Sequence, residues 1–194
     1  MQEYYLDEFR NRENYVKFIA YMLEHSDFFS LVFYRSRKTD PLKRSSREIK
    51  DSLRRYHLHS EKMKEWPGPE IRDESCCETA YYYSDPACLE TLSKVDDIFE
   101  WYYPNAPANL AFYRDGYCWM WVSVYEELGA MFLGEEEAEE LKELGVNLTE
   151  AVFQIHRIEK RVESGFTMAV NEVMKEPTRC DIKTYLDKYR RKKK

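Results

Sequence analysis

Glycine is scarce in this sequence: 6 residues in 194, about 3%, against a usual ~7%. That scarcity disfavours glycine-rich phosphate loops, and the spacings exclude them. No Gly-x-Gly-x-x-Gly occurs. Gly129 and Gly134 have the glycine spacing of a P-loop, but Glu135 and Glu136 follow where Lys and Ser/Thr are needed. The zinc-protease pattern His-Glu-x-x-His and the hydrolase elbow Gly-x-Ser-x-Gly are also absent. None of the four histidines (His25, His57, His59, His156) stands beside a cysteine or carboxylate at zinc-ligand spacing. The five cysteines are odd in number, Cys76 and Cys77 are adjacent, and there is no Cys-x-x-Cys. A secreted disulfide framework shows an even, spaced set, so these read as free thiols of a reducing cytoplasm. No apolar run reaches membrane-spanning length, and Met1 to Arg10 carries Glu3, Asp7 and Glu8 without an apolar targeting core. The sequon Asn147-Leu148-Thr149 therefore carries no chemistry.

What is present is charge and aromatic bulk. Charged residues make up 34% of the chain and aromatics 15%. Disordered chains are poor in aromatics, and a chain of this length buries about 70% of its surface on folding. The sequence therefore predicts one folded domain over 1–194. The net charge of −6 hides strong segregation. Arg35 to Lys64 is rich in Arg and Lys, Glu126 to Glu143 is rich in Glu, and Lys188 to Lys194 is again basic. A basic stretch binds nucleic acid or an acidic protein, or it neutralises an acidic face of its own molecule. The third reading is the simplest here.

Periodicity predicts the order helix, strand, helix, strand, helix, hairpin, helices. Tyr5, Phe9, Val16, Ile19 and Leu23 suggest an N-terminal helix within 1–26. Phe28 to Arg35 reads as a strand, and a helix capped by Ser45 or Ser46 runs to about Tyr56. Trp66-Pro67-Gly68-Pro69 breaks the chain, and Glu78 to Ser84 is a second strand. Asp85-Pro86 starts a helix expected to reach about Trp101, with a break near Lys94 as the alternative. Asp115-Gly116 turns a hairpin between Asn109 to Tyr113 and Tyr117 to Val124, and Gly129 to Leu133 adds a strand. Glu135 to Leu144 is an acidic helix closed by Gly145. A long amphipathic helix is expected over 149–175, with its first half on the hairpin and its second half on the N-terminal helix. A basic tail, 181–194, follows. The fold class is α+β: a small, mostly antiparallel sheet with a central hairpin, packed by helices, with 28–145 as its core.

Three constellations bear on function. His57-x-His59 lies on a strand-like segment, where residues two apart share a face, with Cys76-Cys77 downstream; the simpler reading is two surface histidines without metal. Tyr117, Trp119 and Trp121 occupy one strand face, opposite Cys118, Met120 and Val122. With Tyr81, Tyr82, Tyr83, Trp101, Tyr102 and Tyr103 they form either core or a partner surface. Arg35, Arg37 and Arg114 near Glu126 and Glu127 suit acid–base chemistry or ordinary surface pairing.

Several short stretches resemble a known family: Glu65-Trp66-Pro67-Gly68; Thr79-Ala80-Tyr81-Tyr82-Tyr83; Phe99-Glu100-Trp101; then, past Pro104 and Pro107, Asn109 to Gly116, and Trp119. They are similar to small soluble bacterial proteins of unassigned function, some labelled stage III sporulation protein AH. The likeness covers roughly 28 to 145. That label implies a membrane anchor, which is not expected here because no apolar run reaches spanning length, and the family offers no catalytic residues to carry over. The expectation is a non-enzymatic cytoplasmic bacterial protein that binds another protein as an inhibitor, immunity factor or adaptor. The candidate binding patch is Trp66, Tyr82, Trp101, Tyr103, Arg114 and Trp119, with no cofactor and no metal. The alternative is an enzyme or small-molecule binder with a Tyr/Trp-lined pocket. Nucleic acid should bind weakly at most, because the basic stretch has few bases-stacking aromatics; a homodimer remains an open alternative.

Overall fold

A computed structural model describes residues 2–62 and 76–151. They form an α+β fold around one sheet of eight strands. The strands are β1 (Gln2–Leu6), β2 (Phe28–Tyr34), β3 (His57–Glu61), β4 (Cys77–Tyr83), β5 (Ala108–Arg114), β6 (Tyr117–Ser123), β7 (Leu128–Leu133) and β8 (Leu148–Glu150). The helices are α1 (Arg12–His25), α2 (Arg44–Ser52), α3 (Leu89–Leu92) and α4 (Glu135–Glu143). The spatial order is β3-β4-β2-β5-β6-β7-β1-β8, and every neighbouring pair is antiparallel.

The central strand β2 alternates in the way a strand covered on both faces should. Phe29, Leu31 and Phe33 point to the face that carries the helices. Phe28 and Val32 point to the other. Every described helix packs on the first face, through Phe18 and Ile19 of α1, Ile49 of α2, Leu92 of α3 and Leu141 of α4. The second face is a smaller cluster built from strand residues, among them Tyr81, Tyr113 and Trp121.

Local signals place several boundaries. Asp85 caps a 3-10 turn by accepting from the Ala87 amide at 2.9 Å, with Pro86 in its first position. Asp115 and Gly116 both take positive φ in the hairpin turn. Gly145 ends α4 at φ 85°, where a Cβ would also strike Asn14.

Four expectations are corrected. The N-terminal segment is not one helix: its first residues form β1 between β7 and β8, and the helix starts only at Arg12, where Asn11 accepts from the Asn14 amide. The helix from Pro86 does not reach Trp101: it stops at Leu92, close to the alternative break near Lys94. Asp97 restarts the chain as a separate turn, accepting from the Phe99 amide at 2.9 Å and from the Phe9 amide at 2.7 Å. Thr149 and Glu150, expected to open the long helix, instead pair with β1 as β8. The rest of that helix, and the basic tail, lie outside the described residues. The α2 helix starts at Arg44, one turn position ahead of the Ser45 or Ser46 cap, and Ser46 is buried inside it.

A fifth correction concerns the hairpin. Phe112 faces Met120, but the next residue, Tyr113, faces Cys118. Trp119 is the extra residue of a β-bulge, so it joins Met120 and Val122 in the helix-side core, while Trp121 joins the opposite cluster. The three aromatics do not share one face.

Candidate functional site

The described surface has two places where side-chain chemistry concentrates. The first is a cleft of about 950 Å³ between the end of α2 and strands β3 and β4. Its floor is set by strand register. His57 pairs with Tyr82 and Ser60 with Ala80 on the helix side, because a bulge at Leu58 shifts the register between His57 and His59. The bulge also separates the two histidines. The His57 ring meets Tyr82 edge to face, whereas His59 stacks on Tyr81, the neighbouring residue of β4 that points to the opposite face. The two imidazoles therefore do not converge on one metal.

Across the cleft, Lys50 donates to Glu78 at 2.8 Å, and Arg35 lies 3.6 Å from the same carboxylate. Burial alone pushes the Glu78 carboxyl up. The hydrogen bond and charge of Lys50, with help from Ser60 and Arg35, outweigh that and hold it below its ordinary value. Ser60 links this group to His57, whose Nε2 lies 2.7 Å from the Ser60 hydroxyl. Arg54 and Arg55 line the rim with Asp51. Arg55 lies over the Tyr56 ring and contacts its hydroxyl, and neither arginine forms an ion pair among the described residues. Tyr82 is fully buried as a residue, yet its hydroxyl has no hydrogen-bond partner among the described residues. Burial raises its pKa, so it remains a donor at neutral pH.

A lowered carboxyl value has a defined consequence for stability. Because the folded value of Glu78 lies below 4.5, its contribution is fully present above pH 4.5 and is lost as pH falls through the folded value. Glu78→Gln should cost about 1–2 kcal/mol near neutrality and flatten the acid limb of the stability profile. Urea midpoints measured from pH 7 down to about pH 3 check this; an unchanged acid limb would show that Glu78 is not held by Lys50.

The second place is the end of the sheet where β2 finishes. Tyr34 packs edge to face with Tyr103 at 6.4 Å, and the Tyr103 hydroxyl shares a 2.6 Å hydrogen bond with Ser36. The Tyr125 hydroxyl is hydrogen-bonded by the Tyr103 backbone, while the residue as a whole is 61% exposed. Tyr102 is also exposed. Arg37 and Lys38 follow Ser36 on the open loop, and Glu126 and Glu127 share the turn with Tyr125.

The candidate patch is thus divided. Trp66 lies outside the described residues. Tyr82 lines the cleft. Trp101 is wholly buried and donates from Nε1 to the Tyr15 hydroxyl at 2.9 Å. Tyr103 belongs to the tyrosine end. Arg114 and Trp119 are brought together: the guanidinium sits 4.1 Å over the indole and pairs with Glu137, while the indole Nε1 donates to Ser26 at 3.0 Å. Arg114 therefore lies at the end of β5 opposite to Arg35, and these arginines make no common site. Nor do the basic and acidic stretches neutralise one another by contact. Among the described residues no ion pair joins Arg35–Lys62 to Glu126–Glu143.

Sequence reasoning missed the cleft as a unit. Lys50, Arg54 and Arg55 were visible as charge, and His57 as an isolated histidine. No helix among the described residues is long and apolar enough to cross a membrane, and no group of His, Cys, Asp and Glu among them could hold a metal ion. Cys76, Cys77, Cys88 and Cys118 are free thiols. No family model matches the chain, and no curated protein or solved structure is significantly similar to it.

Proposed function

We propose that this is a non-enzymatic cytoplasmic binding protein that docks onto another protein through the tyrosine end of its sheet. The observation that carries the reading is the exposure of Tyr102 and Tyr125 against a rigid backing. Tyr34 and Tyr103 hold the loop beneath them by ring packing and the Ser36 hydrogen bond. Tyrosine offers wide apolar contact with a polar tip and little entropy to lose, which suits it to the centre of an interface. Arg37 and Lys38 are exposed and form no ion pair among the described residues, so a partner segment bearing carboxylates gains complementary charge. Glu126 and Glu127 on the same end limit how much negative charge a partner can bring, which disfavours the dense charge of a phosphate backbone more than a peptide with a few carboxylates set against Arg37 and Lys38. The four free cysteines suit a reducing compartment.

Selection from a random-peptide library tests the reading. Enriched peptides should be acidic, and the double variant Tyr102→Ala/Tyr125→Ala should weaken their binding at least about tenfold, as central tyrosines do when truncated, with the circular dichroism spectrum unchanged. No enrichment, or equal binding by the folded double variant, overturns it.

A further inference from the structure

We propose that the cleft between α2, β3 and β4 binds a small anionic molecule through its phosphate or carboxylate group, with Arg54, Arg55 and the Tyr82 hydroxyl as the gripping donors.

The unpartnered hydroxyl is the first reason. A buried polar group without a hydrogen bond costs free energy, and native structures keep few of them. Tyr82 is wholly buried as a residue, lines an open cleft, and carries a proton that its surroundings make hard to remove. An acceptor arriving in the cleft satisfies it. That requirement already selects oxygen-rich ligands over apolar ones.

Charge is the second reason. The carboxylate of Glu78 is engaged by Lys50 and Arg35 and is shielded by them. Arg54 and Arg55 have no such engagement among the described residues, and only Asp51 opposes them on the rim. A surplus of positive charge remains, on guanidinium groups whose planar donors match the oxygens of phosphate and carboxylate.

Position is the third reason. The 3-10 turn Arg54–Tyr56 follows directly from α2, and Leu53 and Tyr56 are buried in the main core on either side of the two arginines. Their backbone is anchored, and the Arg55 guanidinium is held over the Tyr56 ring at the rim. Leu58, the bulge residue of β3, also lines the cleft. A volume of about 950 Å³ exceeds what one inorganic ion fills and lies in the range of small-molecule sites. This site is separate from the tyrosine end, and the inference does not rest on the docking reading.

Two-dimensional amide NMR on the full chain tests it, with inorganic phosphate and succinate titrated separately at constant ionic strength. At least one probe should give saturable shifts confined to the amides around His57, Ser60 and Tyr82. Which probe saturates decides between phosphate and carboxylate. Arg54→Gln/Arg55→Gln should raise the midpoint at least about tenfold, and Asp51→Asn should lower it about 2–3-fold. Tyr82→Phe should weaken binding about 5–10-fold, the worth of one neutral hydrogen bond or slightly more. The arginine and aspartate positions are exposed, so those variants test the site even if the tyrosine variant unfolds. The proposal is overturned if neither probe saturates, if the shifts spread over the whole basic surface as they would for chloride, or if the double arginine variant leaves the midpoint unchanged. Peptide docking at the tyrosine end should be indifferent to the cleft variants, so failure of one reading is distinct from failure of the other.

Discussion

Trp101→Ala is expected to destabilise the fold by about 3–5 kcal/mol, the range for removing a buried large aromatic. Trp101 has no solvent exposure and belongs to the helix-side core. Its indole donates to the Tyr15 hydroxyl, and Tyr15 in turn donates to the Leu92 carbonyl at 2.8 Å. One side chain thus ties the loop before β5 to α1 and α3. Alanine opens a cavity under all three and removes one donor, although Tyr15 keeps Leu92. A domain typically holds only 5–15 kcal/mol in total, so the variant should sit close to its unfolding threshold at room temperature. Trp101→Phe keeps most of the apolar volume and should cost about 1–2 kcal/mol, much of it the hydrogen bond. Urea unfolding of both variants checks the sizes and their order. A loss below about 1 kcal/mol for alanine would place Trp101 at a surface, as a partner-binding residue, and not in the core.

Parts of the fold were legible in the sequence as local chemistry, and the Asp85-Pro86 start is one of them. Asp115-Gly116 and Gly145 are likewise local, because positive φ is a property of the residue and its neighbours. Strand β2 was readable because six of its seven residues are aromatic, β-branched or leucine, a short apolar run that fits a strand covered on both faces.

What failed needed information from far along the chain. Strand β1 is five residues long, and its partners are near 130 and 149. Nothing within Gln2–Leu6 separates a short strand from the first turns of a helix, since Tyr5 and Phe9 are also four apart. The helix after Pro86 ends at Leu92, and Asp97 then starts a separate turn by accepting from two amides, one of them the distant Phe9. The two bulges mattered most for function. One extra residue at Trp119 exchanges the faces of the flanking aromatics, and one at Leu58 sends His57 into the cleft and His59 away from it. A bulge inverts every later assignment of face while leaving the alternation of the sequence unchanged. The cleft was invisible for the same reason. Tyr82 shares a cleft with Arg54 and Arg55 because β4 lies between β3 and β2, an order that sequence proximity does not dictate.

Phe29→Ala should cost about 3–5 kcal/mol and should reach the cleft as well. Phe29 is wholly buried in the middle of a cross-strand aromatic row on the helix side. Its ring lies 5.4 Å from Tyr82 on β4, nearly parallel to it, and 5.7 Å from Phe112 on β5. The register makes these direct cross-strand partners, so the row runs across three neighbouring strands. Such pairs are worth about 0.5–1.5 kcal/mol beyond simple burial. Removing the middle ring deletes two of them and leaves a cavity in the centre of the sheet, where backbone hydrogen bonds on both sides resist collapse. Phe29→Leu keeps most of the volume and should cost about 1–2 kcal/mol, which leaves a folded protein for measurement. In that variant Tyr82 loses the flat backing that fixes its ring, so its hydroxyl should be presented less uniformly to the cleft. Phosphate or succinate binding should then weaken by a few-fold, about what a partly disordered hydrogen-bond donor forfeits. Combining Phe29→Leu with Tyr82→Phe separates the effects. If Phe29 acts through the Tyr82 hydroxyl, adding the leucine change to the phenylalanine variant should weaken binding no further, while the stability losses still couple through the shared ring contact. Full additivity in binding would mean that Phe29 reaches the cleft by some route other than Tyr82.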